Sequence, residues 1–210
     1  LDLSESLLIA ALPGLVVAGI GRILVKRIEF DPATDTSFQF ASVERVFAPM
    51  IVFTACAMAF AHGSNDVANG VGPLTAVFGL VKSGGEVAQK TPMPLWILAL
   101  GGFGIVLGLT TYGYRVMQTI GGKITALTPT SGFCATVAAA VTVVLASRTG
   151  MPVSTTHIAV GAVMGVGLAR GIAALDLRVI GNIIVSWLVT LPVGGLLAAA
   201  FFFLFKGMFS

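Results

Sequence analysis

Charge is what this sequence has least of. Only 10% of its 210 residues are Asp, Glu, Lys or Arg, against 56% hydrophobic, where a soluble domain carries about a quarter charged. A soluble fold of this length would have to present much of that apolar surface to water. The shortage therefore excludes an ordinary soluble domain and leaves a lipid-embedded one. It is also regional. No Lys or Arg stands between Arg45 and Lys82, Asp66 is the only acid between Glu44 and Glu86, and no carboxylate lies between Val87 and Leu175. The basic residues are scattered at the ends of apolar runs, which suits interfacial anchoring and, with no basic cluster, excludes nucleic acid as a partner. Cysteine is scarce as well. Cys56 and Cys134 each sit inside an apolar run, which indicates packing rather than a disulfide or a metal site. The start, Leu1-Asp2-Leu3, lacks the basic region of a signal peptide, and the expectation is a segment of a longer gene product. What abounds is glycine, with 26 residues, which suits helices packed closely in a bilayer.

The apolar runs predict an all-α, polytopic integral membrane protein with broken helices and helical hairpins. Residues 1–27 read as a first transmembrane helix, and 28–45 as a polar loop with a short amphipathic helix before Pro49. The apolar run 47–81 is too long for one span of about 20 residues, and His62-Gly63-Ser64-Asn65-Asp66 reads as an interruption in it. A Gly-, Pro- and Lys-rich loop follows over 82–94. Residues 95–114 read as a clean span with a small-residue seam at Gly104 and Gly108, and 115–129 as an interfacial helix. The run 131–169 is broken at Arg148-Thr149-Gly150-Met151-Pro152, and 179–205 is long enough to span with tilt. That makes four or five full spans and two interrupted ones. Backbone leaves the helix at membrane depth only where protein or a water-filled cavity satisfies it, and transporters place their sites at such breaks.

Two constellations carry chemistry. In the first, Asp66 stands inside an apolar run, where an ionised carboxylate costs about 2.5–3.5 kcal/mol. With no Lys or Arg nearby in sequence, bound Na⁺ or a proton is its expected partner. Ser64, Asn65 and Asn69 supply hard oxygens for a cation, and Gly63 permits unusual backbone angles. The plainer reading is a loop between two short spans with Asp66 as a helix cap. In the second, Ser154, Thr155 and Thr156 open an apolar helix just after Pro152. Hydroxyls beside unpaired N–H groups at the positive end of a helix dipole suit a phosphate-like anion, although Pro and Ser/Thr also begin ordinary helices. A cation at Asp66 would neutralise the anion and couple the two binding events. His62 and His157 flank the motifs as supports that pack or hydrogen-bond behind the ligands. Gln118 and Asn182 are expected to hydrogen-bond between helices, and Arg148 to anchor at the surface.

At His62-Gly63-Ser64-Asn65-Asp66-Val67-Ala68-Asn69 and Pro152-Val153-Ser154-Thr155-Thr156-His157 the sequence resembles the inorganic phosphate transporter (PiT) family. Tyr112-Gly113-Tyr114-Arg115-Val116 and Trp187-Leu188-Val189-Thr190-Leu191-Pro192 extend the likeness, which covers residues 43–196 in order. The family signature occurs once in each of two inverted halves, and this chain resembles the C-terminal half, with 46–210 as its transport repeat. The resemblance implies cation-coupled uptake of inorganic phosphate, Na⁺ ahead of H⁺, at an integral site in the cell (inner) membrane. Asn65 and Asp66 match ion-binding (Na⁺) positions, and Ser154, Thr155 and Thr156 match phosphate-binding ones. It further implies the N-terminal half of the same transporter and a second copy of the protein as partners, with no cofactor beyond the coupling ion. Gln118 departs from the acid the family often carries there, which removes that carboxylate's role. Sulfate has the same tetrahedral shape, so a sulfate permease of this family remains an alternative. A passive anion channel needs a continuous polar lining, whereas the polar groups here concentrate at two places. An enzyme would need more than His62, His157 and Asp66, which come with no nucleophile and no metal-ligand spacing.

Overall fold

The computed structural model describes residues 3–26, 36–86 and 91–209, and among these there are helices and turns but no strand. Six helices follow one another: α1 (Leu3–Lys26), α2 (Thr36–Lys82), α3 (Leu95–Lys123), α4 (Pro129–Arg148), α5 (Thr155–Ala169) and α6 (Leu177–Phe209). Four segments are long and apolar enough to cross a membrane, namely Val43–Lys82, Leu95–Lys123, Pro129–Arg148 and Leu177–Phe209. α5, with 15 residues, rises only about 22 Å and falls short of the ~30 Å hydrocarbon core. The exterior is apolar: Phe60, Leu191 and Phe209 are each more than three-quarters exposed, a pattern that water would not tolerate and lipid favours.

α2 differs most from the sequence expectation. It runs unbroken through 47 residues with Pro49 and Pro73 inside it. The polar segment 28–45, read as a loop, is helical from residue 36 onward, while 27–35 lie outside the described residues. His62 to Asp66 is no interruption, and Gly63 has ordinary helical geometry, since the positive-φ glycines are Gly84, Gly85, Gly150 and Gly171. A helix satisfies its own backbone, so polar side chains inside it need no break. They need only partners on a neighbouring element.

α3 likewise continues past Tyr114, where an interfacial helix was expected, through two π-helical turns at Leu109–Gly113 and Thr119–Lys123. Among the described residues Gly104 and Gly108 make no close helix contact, because a Cβ at either would meet nothing within 4 Å. The close approach falls one turn earlier. A Cβ at Gly101 would overlap Cγ1 of Val71, so this glycine is what lets α3 lie against α2. Phe78 and Trp96 extend that contact edge to face, with centroids 5.5 Å apart.

α4 and α5 form a helical hairpin whose outer helix lies along α2. α4 starts with a complete capping box: the Ser131 amide donates to Oγ1 of Thr128, the Thr128 amide donates to Oγ of Ser131, and Pro129 follows the cap. The Glu44 carboxylate also accepts from the Thr130 amide at 2.8 Å, which ties the start of the hairpin to α2. Asp176 caps α6 by accepting from the amides of Arg178 and Val179. Ile124, Ala135, Val160, Val163 and Ile180 are the buried cluster where α4, α5 and the first turns of α6 meet.

Candidate functional site

Positions 62, 65, 66 and 69 recur at i, i+3, i+4 and i+7, so on one continuous helix they form a single stripe. The stripe faces the break between α4 and α5. There the chain leaves α4 through Gly150, whose φ of 71° is a conformation natural to glycine. Met151 N donates to Ala146 O and Gly150 N to Ser147 O, which satisfies the last carbonyls of α4 in the manner of a Schellman closure. Pro152 and Val153 lead outside any helix to Ser154, the extended N-cap of α5, whose Oγ accepts from the His157 amide at 3.3 Å.

α2 grips this break from one side. Asn65 Nδ2 donates to the Val153 carbonyl at 2.9 Å and Asn69 Nδ2 to the same carbonyl at 3.1 Å. Oδ1 of Asn65 accepts from the Ser147 hydroxyl at 3.3 Å, and Asn65 is buried. Two residues on, the Thr155 hydroxyl donates to Oδ1 of Asp66 at 2.8 Å. Thr155 is 1% exposed. The other carboxylate oxygen of Asp66 lies 2.8 Å from Nε2 of His62, one helical turn back, and both side chains are about one-third exposed. His62 Nε2 is also 3.5 Å from the Thr155 hydroxyl. A carbonyl exposed by a broken helix and a carboxylate inside an apolar segment thus satisfy each other's surroundings through one set of side chains.

The two sequence constellations, 89 positions apart at Asp66 and Thr155, therefore form one place. His62 touches the Asp66 carboxylate directly. The sequence lacked a Lys or Arg partner for Asp66, but an i,i+4 histidine supplies the contact. Ser64 lies elsewhere: on the opposite side of α2 it lines a separate cavity of about 610 Å³ with Phe60, Val67 and Met93. Ser154 is exposed at the mouth of the hairpin, and Thr156 is half-buried. Thr156 and His62 share a mainly apolar cavity of about 670 Å³ framed by α2, α3, α4 and α5, with Tyr112 and Thr136 on its wall. His157 turns the other way and stacks on Trp187 of α6. Gln118 is exposed between the two π-helical turns of α3, and Arg148 is exposed at the end of α4. Both cysteines are exposed and unbridged.

Sequence reasoning missed Ser147, the Val153 carbonyl and Glu44. Ser147 is one serine in a helix end, and a backbone carbonyl has no sequence signal, so only the register of α4 against α2 could reveal them. The oxygens along this contact are hard ones, Asp66 Oδ1, Asn65 Oδ1, the Thr155 and Ser147 hydroxyls and the Val153 carbonyl, each engaged in a hydrogen bond within the site. That set suits a monovalent hard cation. Among the described residues no group of three or more His, Cys, Asp or Glu is placed to hold a metal ion.

The chain is similar to known phosphate transporters and permeases. The sequence model of the phosphate transporter family matches residues 5–198. A provisionally named phosphate permease of Haemophilus influenzae is 54% identical over 171 residues, 81% of this chain and 41% of the relative. The chloroplastic inorganic phosphate transporter 2-1 of Arabidopsis thaliana is 49% identical over 181 residues, 86% of this chain and 31% of the relative. Among solved structures, that of a protein described as the sodium-dependent phosphate transporter superposes with a TM-score of 0.83 at 40% identity, covering 98% of this chain and 50% of its own. The chain spans about half the length, or less, of the relatives it matches.

Proposed function

We propose, from the premise that this chain belongs to the phosphate transporter family, that it is the half of a membrane transporter that couples inorganic phosphate to a cation, with Na⁺ as the first choice. The family is one of transporters and permeases rather than enzymes, and the chain is an integral membrane protein. The observation that carries the proposal is the 2.8 Å hydrogen bond from Thr155 to Asp66. It joins the carboxylate that suits a cation to the helix start that suits an anion.

In this reading Asp66 and Asn65 hold Na⁺, with Asn69 fixing the Val153 carbonyl beside them. Thr155 bridges to the phosphate side, where the hydroxyls of Ser154 and Thr156 and the free amides of the first turn of α5 donate to the anion. A desolvated phosphate is unfavourable alone, and a cation a few ångströms away lowers that cost at low local dielectric. Ser64 serves the α2–α3 contact in this reading, and Gln118 stands away from the site. In this reading residues 46–210 are the transport repeat. The complementary N-terminal repeat completes the site, and two copies associate in the cell membrane. The sodium dependence of the structurally similar transporter supports Na⁺ over H⁺.

The test is uptake of labelled phosphate into proteoliposomes holding the complete transporter. Na⁺, K⁺ and proton gradients are compared, with sulfate as competitor and Asp66→Asn as control. Uptake that requires Na⁺, resists sulfate and disappears in Asp66→Asn is the expected outcome. Proton-driven uptake changes the ion, loss to sulfate changes the substrate, and equilibration without accumulation replaces symport with a channel.

A further inference from the structure

His157 and Trp187 are the aromatic pair that neither ion site uses. Their ring centroids are 3.8 Å apart with planes inclined by 35°, closer than the usual 4.5–7 Å of aromatic pairs. The pair closes an interface. On α5, His157 heads a stripe that continues with Val160 and Met164. On α6, Trp187 ends one that begins with Ile180 and Ile183, and Val160, Met164, Ile180, Ile183 and Trp187 belong to or pack on the buried cluster. Every described residue of α6 beyond it, from Leu188 to Phe209, is exposed. The stack is thus the last rung of the α5–α6 contact, and it lies at the end of α5 where the hydroxyls are.

The first turn of α5 is held on two sides. Thr155 fastens it to Asp66 of α2. Two residues on, and about 200° around the helix, His157 fastens it to Trp187. The backbone amide of the same His157 donates to the Ser154 hydroxyl, so the residue stacked on Trp187 also takes part in the cap of this turn. From this geometry we propose that Trp187 is a positioning residue for the anion site. By holding the His157 ring it keeps the first turn of α5 in the one orientation that presents Ser154 and Thr156 together to a tetrahedral oxyanion. The inference rests on the phosphate reading above and adds a residue to it. A binding turn that is correctly oriented only part of the time binds more weakly in proportion to that fraction. Losing an aromatic pair of ordinary strength corresponds to about a three- to tenfold weaker apparent affinity.

The experiment compares Trp187→Leu and Trp187→Phe with the unaltered complete transporter in proteoliposomes. Phosphate KM and maximal uptake are measured separately. A second measurement follows the emission of Trp187 during phosphate titration, in a protein whose other tryptophans are phenylalanine. The expected result is a phosphate KM raised about three- to tenfold in Trp187→Leu, with maximal uptake within twofold, and recovery of most of that loss in Trp187→Phe. Phosphate should change the Trp187 emission with a midpoint that follows the KM. A leucine variant with unchanged KM, or leucine and phenylalanine variants equally impaired, would overturn the proposal. If Trp187→Leu fails to reach the membrane, the titration decides, and emission that ignores phosphate in a transporting protein overturns it. Absence of phosphate uptake by the unaltered protein would instead sink the transport reading on which the inference rests.

Discussion

Replacing Thr155 by valine removes one oxygen from the junction and leaves its volume nearly unchanged, so it isolates the hydroxyl that joins the two motifs. Thr155 is 1% exposed and donates to Oδ1 of Asp66 at 2.8 Å. A hydrogen bond to a charged group contributes about 1.5–3 kcal/mol. Asp66 is about one-third exposed and keeps its contact with His62, so water and the imidazole partly replace the lost donor. The lower end, about 1.5 kcal/mol, is therefore the appropriate figure; if the cation needs the carboxylate held where Thr155 holds it, at 1.4 kcal/mol per decade this is about a tenfold loss in cation affinity. The assay is the Na⁺ concentration for half-maximal phosphate uptake, expected to rise about tenfold in Thr155→Val and to return toward normal in Thr155→Ser. An unchanged Na⁺ requirement in a variant that still transports would refute the assignment of Thr155 to the cation side. A raised phosphate KM with normal Na⁺ dependence would show instead that its hydroxyl serves the anion directly.

Asn65→Leu leaves the Ser147 hydroxyl without its acceptor and the Val153 carbonyl with Asn69 alone. The expected cost is about 1–3 kcal/mol, visible as a lower melting temperature in detergent, and an unshifted transition would show that the asparagine is no strut. Gly150→Ala forces an L side chain to φ 71° at about 1–2 kcal/mol, again read from thermal unfolding, whereas Gly104→Ala, with open space around it, should leave the transition in place. Gly101→Val sets a branched side chain against Val71, where even a Cβ would overlap. Overpacking of about 1–3 kcal/mol should lower stability, and a neutral result would show that α2 and α3 separate easily.

The lipid-embedded class was legible because composition alone excludes the alternative, and the hairpin break was legible because Gly150 and Pro152 punctuate an otherwise apolar run. The stretch around Asp66 was misread for a physical reason. A cluster of polar residues in an apolar segment looks like a loop if backbone solvation is the concern. In α2 the backbone is satisfied within the helix, and the polarity belongs to side chains spaced to meet another element. The spacing of His62, Asn65, Asp66 and Asn69 is itself helical, and it favours a helix over an interruption. Residues 36–45 teach the same lesson. Their polarity reflects where the helix begins rather than an irregular backbone, and Glu44 there is engaged with the Thr130 amide. Among the described residues nothing faces Gly104 and Gly108, while Gly101 makes the close approach. Which glycine meets a neighbour depends on the rotation of one helix against another, and a single sequence does not encode that visibly.

The arrangement around Asp66 bears on how coupling can arise at all. Each oxygen of the carboxylate faces a different partner, Thr155 on the hairpin and His62 on its own helix. The carbonyl of Val153, two residues before Thr155, is fixed by two asparagines from that same helix. In the proposed reading a cation drawn to Asp66 would therefore act on the same short stretch, residues 153–155, whose continuation would present the anion donors. In the proposed reading no long-range relay is needed, because the cation and anion sites would share Thr155. Coupling between binding events is reciprocal. If the Thr155 hydroxyl carries it, Thr155→Val must reduce by one common factor the tightening of Na⁺ binding by phosphate and the tightening of phosphate binding by Na⁺. A coupling factor that Thr155→Val leaves unchanged, measured at equilibrium on the same preparation, would mean that the two ligands communicate through another contact of the hairpin rather than through this bond.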